Sequence, residues 1–452
     1  MSLTNICISI FIFLIPFQFY FNIYHQVTIS VVKLIAGILI LISLRKLVRE
    51  PERIARFDVL FIWCTGAFIA LMGASILASD HTLVSIKYFV KWVSIICVSI
   101  IAMVNVDSID DIKRYLAWFL FSAFIVSIIA IIESLAGVDL VFTWISHSYF
   151  AQSIIDADGF AAGIAGIHEN LNWVVISPDG TREVRAFGTF LSSISLPLFL
   201  GFSLSFTPWF FVSFTKRTRV LACSAIMLCL VAIFLGYARS AYISAGIVVF
   251  MNVLIMLRQL SSKYRIRLYL VLGVILCMMI VIPSRSRDTI AYRMIAKPPA
   301  TRYSRPVLWR NAVKIITARP VRGVGLANYD SGFKRFVIDN KDIPPAPAHN
   351  DLLQITAEIG LIGGVLYVML WSIIVYYAVR STLMSTGTTT RYLGLGFLGA
   401  WIWFNVQGIF HNNIFDDKLS MCLWFLMAMN VRLYQILRSS GESSIVAHKT
   451  LK

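Results

Sequence analysis

Long apolar runs broken by short polar connections dominate the chain. A helix needs roughly 20 mostly apolar residues to cross the hydrocarbon core of a bilayer. Runs of that kind fall at about 4–20, 28–44, 58–78, 86–104, 115–136, 188–206, 219–237, 240–257, 267–283, 352–378, 392–410 and 419–436. The pattern predicts an all-α, polytopic membrane fold with about twelve transmembrane helices. The first run has no basic leader and no small-residue cleavage site, so it reads as a retained span. Two long stretches, 137–187 and 284–350, interrupt the alternation.

Composition supports this. Of 452 residues, 58% are hydrophobic and only 14% charged, where a soluble chain carries about 25% charge. Too little polar surface remains to cover a water-soluble fold. The formal net charge of +17 would by itself raise nucleic acid as a partner. On so apolar a chain it points instead to membrane lipids and to the membrane's two sides. The seven cysteines all lie in apolar runs without metal-ligand or disulfide spacing, so they read as packing residues.

Short loops rich in Lys and Arg stay cytoplasmic. The connections 45–56, 105–114, 207–219, 258–267 and 379–391, with the C-terminal tail, hold basic residues, whereas 21–27, 79–85 and 411–417 hold no Lys or Arg. An even number of spans with both termini in the cytoplasm fits that alternation. Both long stretches then face outward. The second carries thirteen basic residues against Asp288, Asp330, Asp339 and Asp342. Long loops translocate largely regardless of charge, and a basic outer loop over a membrane suits an anionic ligand such as a diphosphate.

Within that loop, 306–318 reads as a short amphipathic helix with Pro306 in its first turn and Leu308, Ala312, Ile315 and Ile316 on one face. Such a helix either lies on the membrane surface or packs on the rest of the fold. Arg305 stands just before it. At 344–364, three prolines lead to His349-Asn350 and a helix start. Asp351 with Gln354 resembles a capping box. A helix N-terminus disfavours an imidazolium, so a neutral, proton-accepting His349 is expected. Glu358 lies inside the following span, where an ionisable group is a functional candidate. Arg185 ends the first long loop, and Arg239 sits in a short outer turn. An arginine fork can chelate phosphate oxygens, and it can equally snorkel to headgroups. Lys87 and Lys91 share a helix face near the outer end of the fourth span and suit either role. No His pair and no Cys/His cluster at ligand spacing accompanies them, so no metal or other cofactor is expected.

The second half resembles the O-antigen ligase and polymerase family of bacterial polysaccharide membrane enzymes. The likeness is carried by RAFGTF at 185–190, ARS at 238–240, RPVLW at 305–309, RPVRGVGLANY at 319–329 and AHNDLLQITAEIGLIGG at 348–364. The first 180 residues match only in hydropathy. The resemblance implies a GT-C-like glycosyltransferase in the bacterial inner membrane, with its active site on the periplasmic side. It implies metal-independent, inverting transfer of a glycan from undecaprenyl diphosphate. The acceptor would be lipid A-core in a ligase, or a lipid-linked repeat unit in an O-antigen or exopolysaccharide polymerase. By position, His349 matches the family histidine that activates the acceptor, and Arg185 and Arg305 match donor-diphosphate arginines. Arg239-Ser240 reverses the family's Ser-Arg order. Asn350, Glu358, Lys87 and Lys91 are supporting candidates. A flippase for lipid-linked glycans is the alternative from another class. Transporters are often built from internal repeats, and no repeat is evident by eye.

Overall fold

The computed structural model describes residues 3–17, 20–24, 27–136, 174–176, 182–186, 188–190, 194–259, 304–337 and 345–450. Most of the 137–187 stretch, with His147, His168 and Glu169, lies outside the described residues. So do the run at 267–283, the basic segment 284–303 and residues 338–344.

Along the chain the elements are α1 (Leu3–Leu14), β1 (Tyr20–Tyr24), β2 (Val27–Ser30), α2 (Val31–Arg49), α3 (Val59–Ser75), α4 (Thr82–Ile96), α5 (Val98–Asn105) and α6 (Ile109–Ala136). There follow β3 (Val174–Ile176), β4 (Arg182–Val184), α7 (Ser195–Ser205), α8 (Thr207–Ser213), α9 (Lys216–Leu235) and α10 (Arg239–Gln259). The last group is α11 (Arg305–Ala318), α12 (Tyr329–Phe336), α13 (Asp351–Met384), α14 (Thr388–Gly408) and α15 (Asp417–Thr450).

Among the described residues, six helices are long and apolar enough to cross a membrane: Val59–Ala78, Thr82–Asn105, Ile109–Ala136, Arg217–Leu235, Asp351–Met384 and Asp417–Ser440. The pair α7 and α8, bent by 42°, makes a seventh if it is one span. Helices α2, α10 and α14 coincide with three more of the expected runs but stand outside that set. The spanning helices present Ile62, Trp63, Val90, Leu221, Leu361, Ile362 and Val365 on exposed faces, the surface that hydrocarbon covers. The protein is thus a helical, polytopic membrane protein. The all-α expectation needs two small additions, the antiparallel hairpins β1–β2 and β3–β4. In β1–β2, aromatic and β-branched residues pair Tyr20 with Ser30 and Phe21 with Ile29, where strand propensity is high. The hairpin occupies a place where one span was expected to end and the next to begin.

The chain divides into two compact units. The first takes the described parts of 1–39, 113–296 and 395–403. Here α1 is tied to α6 by the Tyr115 hydroxyl on Asn5 Oδ1 (3.1 Å) and the Ser122 hydroxyl on the Phe13 carbonyl (2.8 Å). Helix α7 packs on α9 and α10, with Phe199 against Phe119 at 4.7 Å between ring centroids. Gly201 touches Trp403 so closely that any side chain there would enter the indole.

The second unit takes 40–112, the described parts of 297–394, and 404–452. Helix α13 packs on α3, α11 and α15, and α15 also packs on α5. A smaller core under α11 and α12 joins Ala312, Ile315, Val324, Tyr329, Phe333, Val337, Ala348 and Ala357. The apolar face of α11 is therefore buried against its own unit, which selects the packed reading of that helix over one lying on a lipid surface.

Candidate active site

The second unit builds a site around the start of α13. The side chain of Asn350 accepts a hydrogen bond from the Leu353 amide at 3.0 Å, so Asn350 is the N-cap. This corrects the capping box expected at Asp351 and Gln354 by one position. Asp351 is already the first helical residue, and its Oδ1 accepts from the Ile414 amide at 3.1 Å. Gln354 reaches back instead: its Oε1 accepts from the Ala348 amide (2.9 Å) and its Nε2 donates to Glu358 Oε1 (2.6 Å). Between these anchored neighbours, His349 is held at φ 49°, in the left-handed region. A non-glycine residue there costs of order 1–3 kcal/mol and persists only where its surroundings fix it.

A second device fixes the far side of the same turn. At Gly360 (φ 82°) helix α13 breaks. The carbonyls freed there are taken by the turn after α11: Val324 N donates to Ala357 O at 3.0 Å and Gly325 N to Glu358 O at 2.9 Å, while Leu361 N donates to Pro320 O at 2.7 Å. A Cβ at Gly360 would run into the Val321 carbonyl, and one at Gly323 (φ 65°) into the Glu358 carbonyl. Both glycines are thus required by a close backbone crossing. Glu358 completes the splice, accepting from the Ala327 amide at 2.7 Å through Oε2. It is a buried clamp within the fold, with both oxygens engaged.

Arg305 opens α11, with Ser304 at the N-cap position and Pro306 in the first turn. Its Nη2 stands 3.5 Å from Nδ1 of His411, and the rings of His411 and His349 meet edge to face at 6.4 Å. Asn350 Nδ2 donates to the Ile409 carbonyl at 3.1 Å, which ties the loop bearing His411 to the turn bearing His349. Trp309 and Phe410, 6.2 Å apart, line the same corner. Burial, and next the charge of Arg305, push the His349 imidazole down to about 4. Burial also lowers the Arg305 guanidinium. The arrangement holds a neutral imidazole beside a fixed positive charge.

His411 was missed in the sequence. Its signal was available: it lies in the connection 411–417, assigned to the same face as His349, but that loop was read only for its lack of Lys and Arg. Lys91, a supporting candidate, is ion-paired with Asp417 and lies 4.8 Å from the Tyr88 ring centroid. Lys87 is exposed.

Arg185 and Arg239 belong to the first unit. The segments carrying them are neighbours: Ala186 N donates to Leu235 O at 2.9 Å, at the end of α9, and Arg239 starts α10 after the tight turn of Tyr237 (φ 50°). Both arginines are half-buried. Arg239 Nε is buried without a hydrogen bond among the described residues. The turn after Arg185 is held by buried Glu133, whose Oε2 accepts from Gly188 N at 2.8 Å, a partner the sequence did not suggest.

Spanning apolar helices and a polar site of Arg, His and Asn at the end of one span define a membrane protein with an ionic site at its surface. Residues 224–368 match a family model described as O-antigen ligase, and over that stretch the chain is O-antigen ligase-like, as its motifs had indicated. No curated protein matches the chain. The matched stretch holds Arg239, Arg305, His349 and Glu358. That family implies a glycosyltransferase-like enzyme acting on lipid-linked glycans.

Proposed function

We propose that the protein transfers a glycan from undecaprenyl diphosphate to a sugar hydroxyl, as an O-antigen ligase acting on lipid A-core at the periplasmic face of the bacterial inner membrane. The observation that carries the reading is the grouping around His411 of Arg305 and His349, the latter two inside the stretch matched by the family model. In this reading Arg305 binds the donor diphosphate. Arg185 and Arg239 are further candidates for diphosphate binding, each tested by its own substitution. His349 accepts the proton of the attacking hydroxyl. The hydroxyl oxygen forms its bond to the anomeric carbon from the face opposite the diphosphate, and the bond to the diphosphate oxygen breaks. The electron pair leaves on undecaprenyl diphosphate, whose charge the guanidinium stabilises. Inversion follows from the single displacement. Because arginine supplies the positive charge, transfer is expected to survive EDTA.

Support for His349 as base comes from its neutral state, its fixed turn, and a ring that takes no hydrogen bond among the described residues. The test uses the full-length protein in proteoliposomes with lipid-linked glycan and lipid A-core. His349→Ala and Arg305→Ala, correctly inserted, are expected to lose transfer. Full transfer by either overturns the assignment. Lipopolysaccharide from a deletion strain separates ligase from polymerase: loss of the whole ladder indicates the ligase, and a core bearing one repeat indicates the polymerase.

A further inference from the structure

At the opposite ends of the helices in the second unit, three segments that the sequence assigns to the cytoplasmic face come together. They are 51–59, the 105–109 turn and the stretch 432–439 of α15. Arg53 and Arg56 both pair with Asp107. Arg432 Nε donates to the Val106 carbonyl at 3.1 Å. Between these segments lies a cavity of about 530 Å³, lined by Arg56, Asp58, Asp107, Arg432, Tyr434 and Arg438 among others.

Arg432 in this cavity has no ion pair among the described residues, whereas Arg53 pairs with Glu50 as well as with Asp107. Asp107 already serves two guanidiniums. Burial acts to raise its carboxyl, yet the hydrogen bonds from Arg56 and Arg53 hold it below the ordinary value. Asp58 caps α3 through the Phe61 amide and accepts from the Tyr377 hydroxyl. Arg432 is only 7% exposed, and its hydrogen bonds go to neutral groups, the Val106 carbonyl and Gln435 Oε1 at 2.7 Å. No carboxylate among the described residues lies within ion-pair distance of it. A buried guanidinium whose hydrogen bonds reach only neutral groups is costly, and an ionisable group within a spanning helix marks a site by default.

We propose that this cavity binds the phosphate headgroup of an anionic phospholipid. A phosphodiester supplies the negative charge and acceptor oxygens that Arg432 lacks, with Arg438 on the same cavity wall, as basic pockets between spanning helices do for anionic headgroups. The source is argued from what borders the cavity. Helix α3 begins at its wall, and the first residues of that helix, Val59, Leu60 and Trp63, are exposed, Trp63 at 74%. An aromatic side chain one turn inside the apolar segment marks the interface. That face takes acyl chains where a soluble phosphate ester would have none to place.

The full-length protein, purified in detergent and stripped of lipid, is titrated by native mass spectrometry with phosphatidylglycerol and with phosphatidylcholine. Wild type is expected to prefer phosphatidylglycerol. Arg432→Gln and Arg438→Gln are each expected to lower that preference about ten-fold, the loss of one charge-assisted hydrogen bond. Arg438 is exposed, so its variant tests the site even if Arg432→Gln fails to fold. Equal retention of the two lipids by wild type, or an unchanged preference in Arg438→Gln, overturns the proposal. Displacement of phosphatidylglycerol by an equal concentration of glycerol 3-phosphate would move the site to a soluble phosphate ester and overturn the lipid assignment. None of these outcomes depends on glycan transfer.

Discussion

Arg305 Nη2 lies 3.5 Å from Nδ1 of His411, across 106 residues of sequence. Arginine only donates, so His411 Nδ1 is the acceptor in this contact. The contact is at the outer limit of a hydrogen bond. It makes His411 a positioning residue for the guanidinium. His411→Ala is expected to raise the KM for the lipid-linked donor about ten-fold, the weight of one hydrogen bond to a charged group, with kcat changed much less. His411→Gln, which keeps an acceptor, should recover part of the loss. Steady-state kinetics with varied donor measure the split. Equal losses in kcat and KM for both variants would argue for a general packing role.

The depressed His349 value sets a pH profile. With its imidazole pushed down to about 4 by burial and by Arg305, His349 is neutral and able to accept a proton at every pH above that value. The acid limb of kcat/KM is expected near 4, well below the ordinary histidine value of about 6.5. Arg305→Gln removes the second of the two causes. It should therefore move the limb upward, part of the way back, besides weakening donor binding. His349→Ala should lower kcat about a hundred- to ten-thousand-fold, the range for a lost general base. A limb that stays in place in Arg305→Gln would exclude the electrostatic link.

The break in α13 makes a stability prediction. Gly360→Ala drives a Cβ into the Val321 carbonyl at φ 82°, and a left-handed non-glycine residue alone costs of order 1–3 kcal/mol. Thermal unfolding in detergent should show a clearly lowered Tm. Gly66→Ala, in α3 with nothing within 4 Å of the added carbon, is the matched control and should be neutral or mildly stabilising.

Glu358 should behave as structure and His349 as chemistry. Glu358→Gln turns one of two accepted hydrogen bonds into a donor facing a donor, at a cost of about 1–3 kcal/mol. Both Tm and transfer should fall. His349→Ala, which keeps a non-glycine residue in the left-handed conformation, should leave Tm nearly unchanged while abolishing transfer. Parallel melting curves and transfer assays decide it. A Glu358→Gln protein of full stability but no activity would instead place that carboxylate in the reaction.

Hydropathy and charge already identified a helical membrane protein, because exclusion of water from lipid writes each span into the chain as a continuous apolar run. The candidates Arg305 and His349 were legible for a related reason. A charged group beside a helix start is a local feature, as is a histidine after a proline-rich approach. Three things were beyond local reading. Asn350 caps α13 because the carboxylate of Asp351 is drawn to the Ile414 amide 63 residues away. Gly360 breaks α13 because the turn at 320–325 supplies donors to the carbonyls it frees. His411 meets Arg305 only because the loop after α14 is tied to the start of α13. Each is a hydrogen bond between segments far apart in the chain. Periodicity records which face of a helix is apolar. It carries no record of which distant backbone group will meet it, and packing alone decides that.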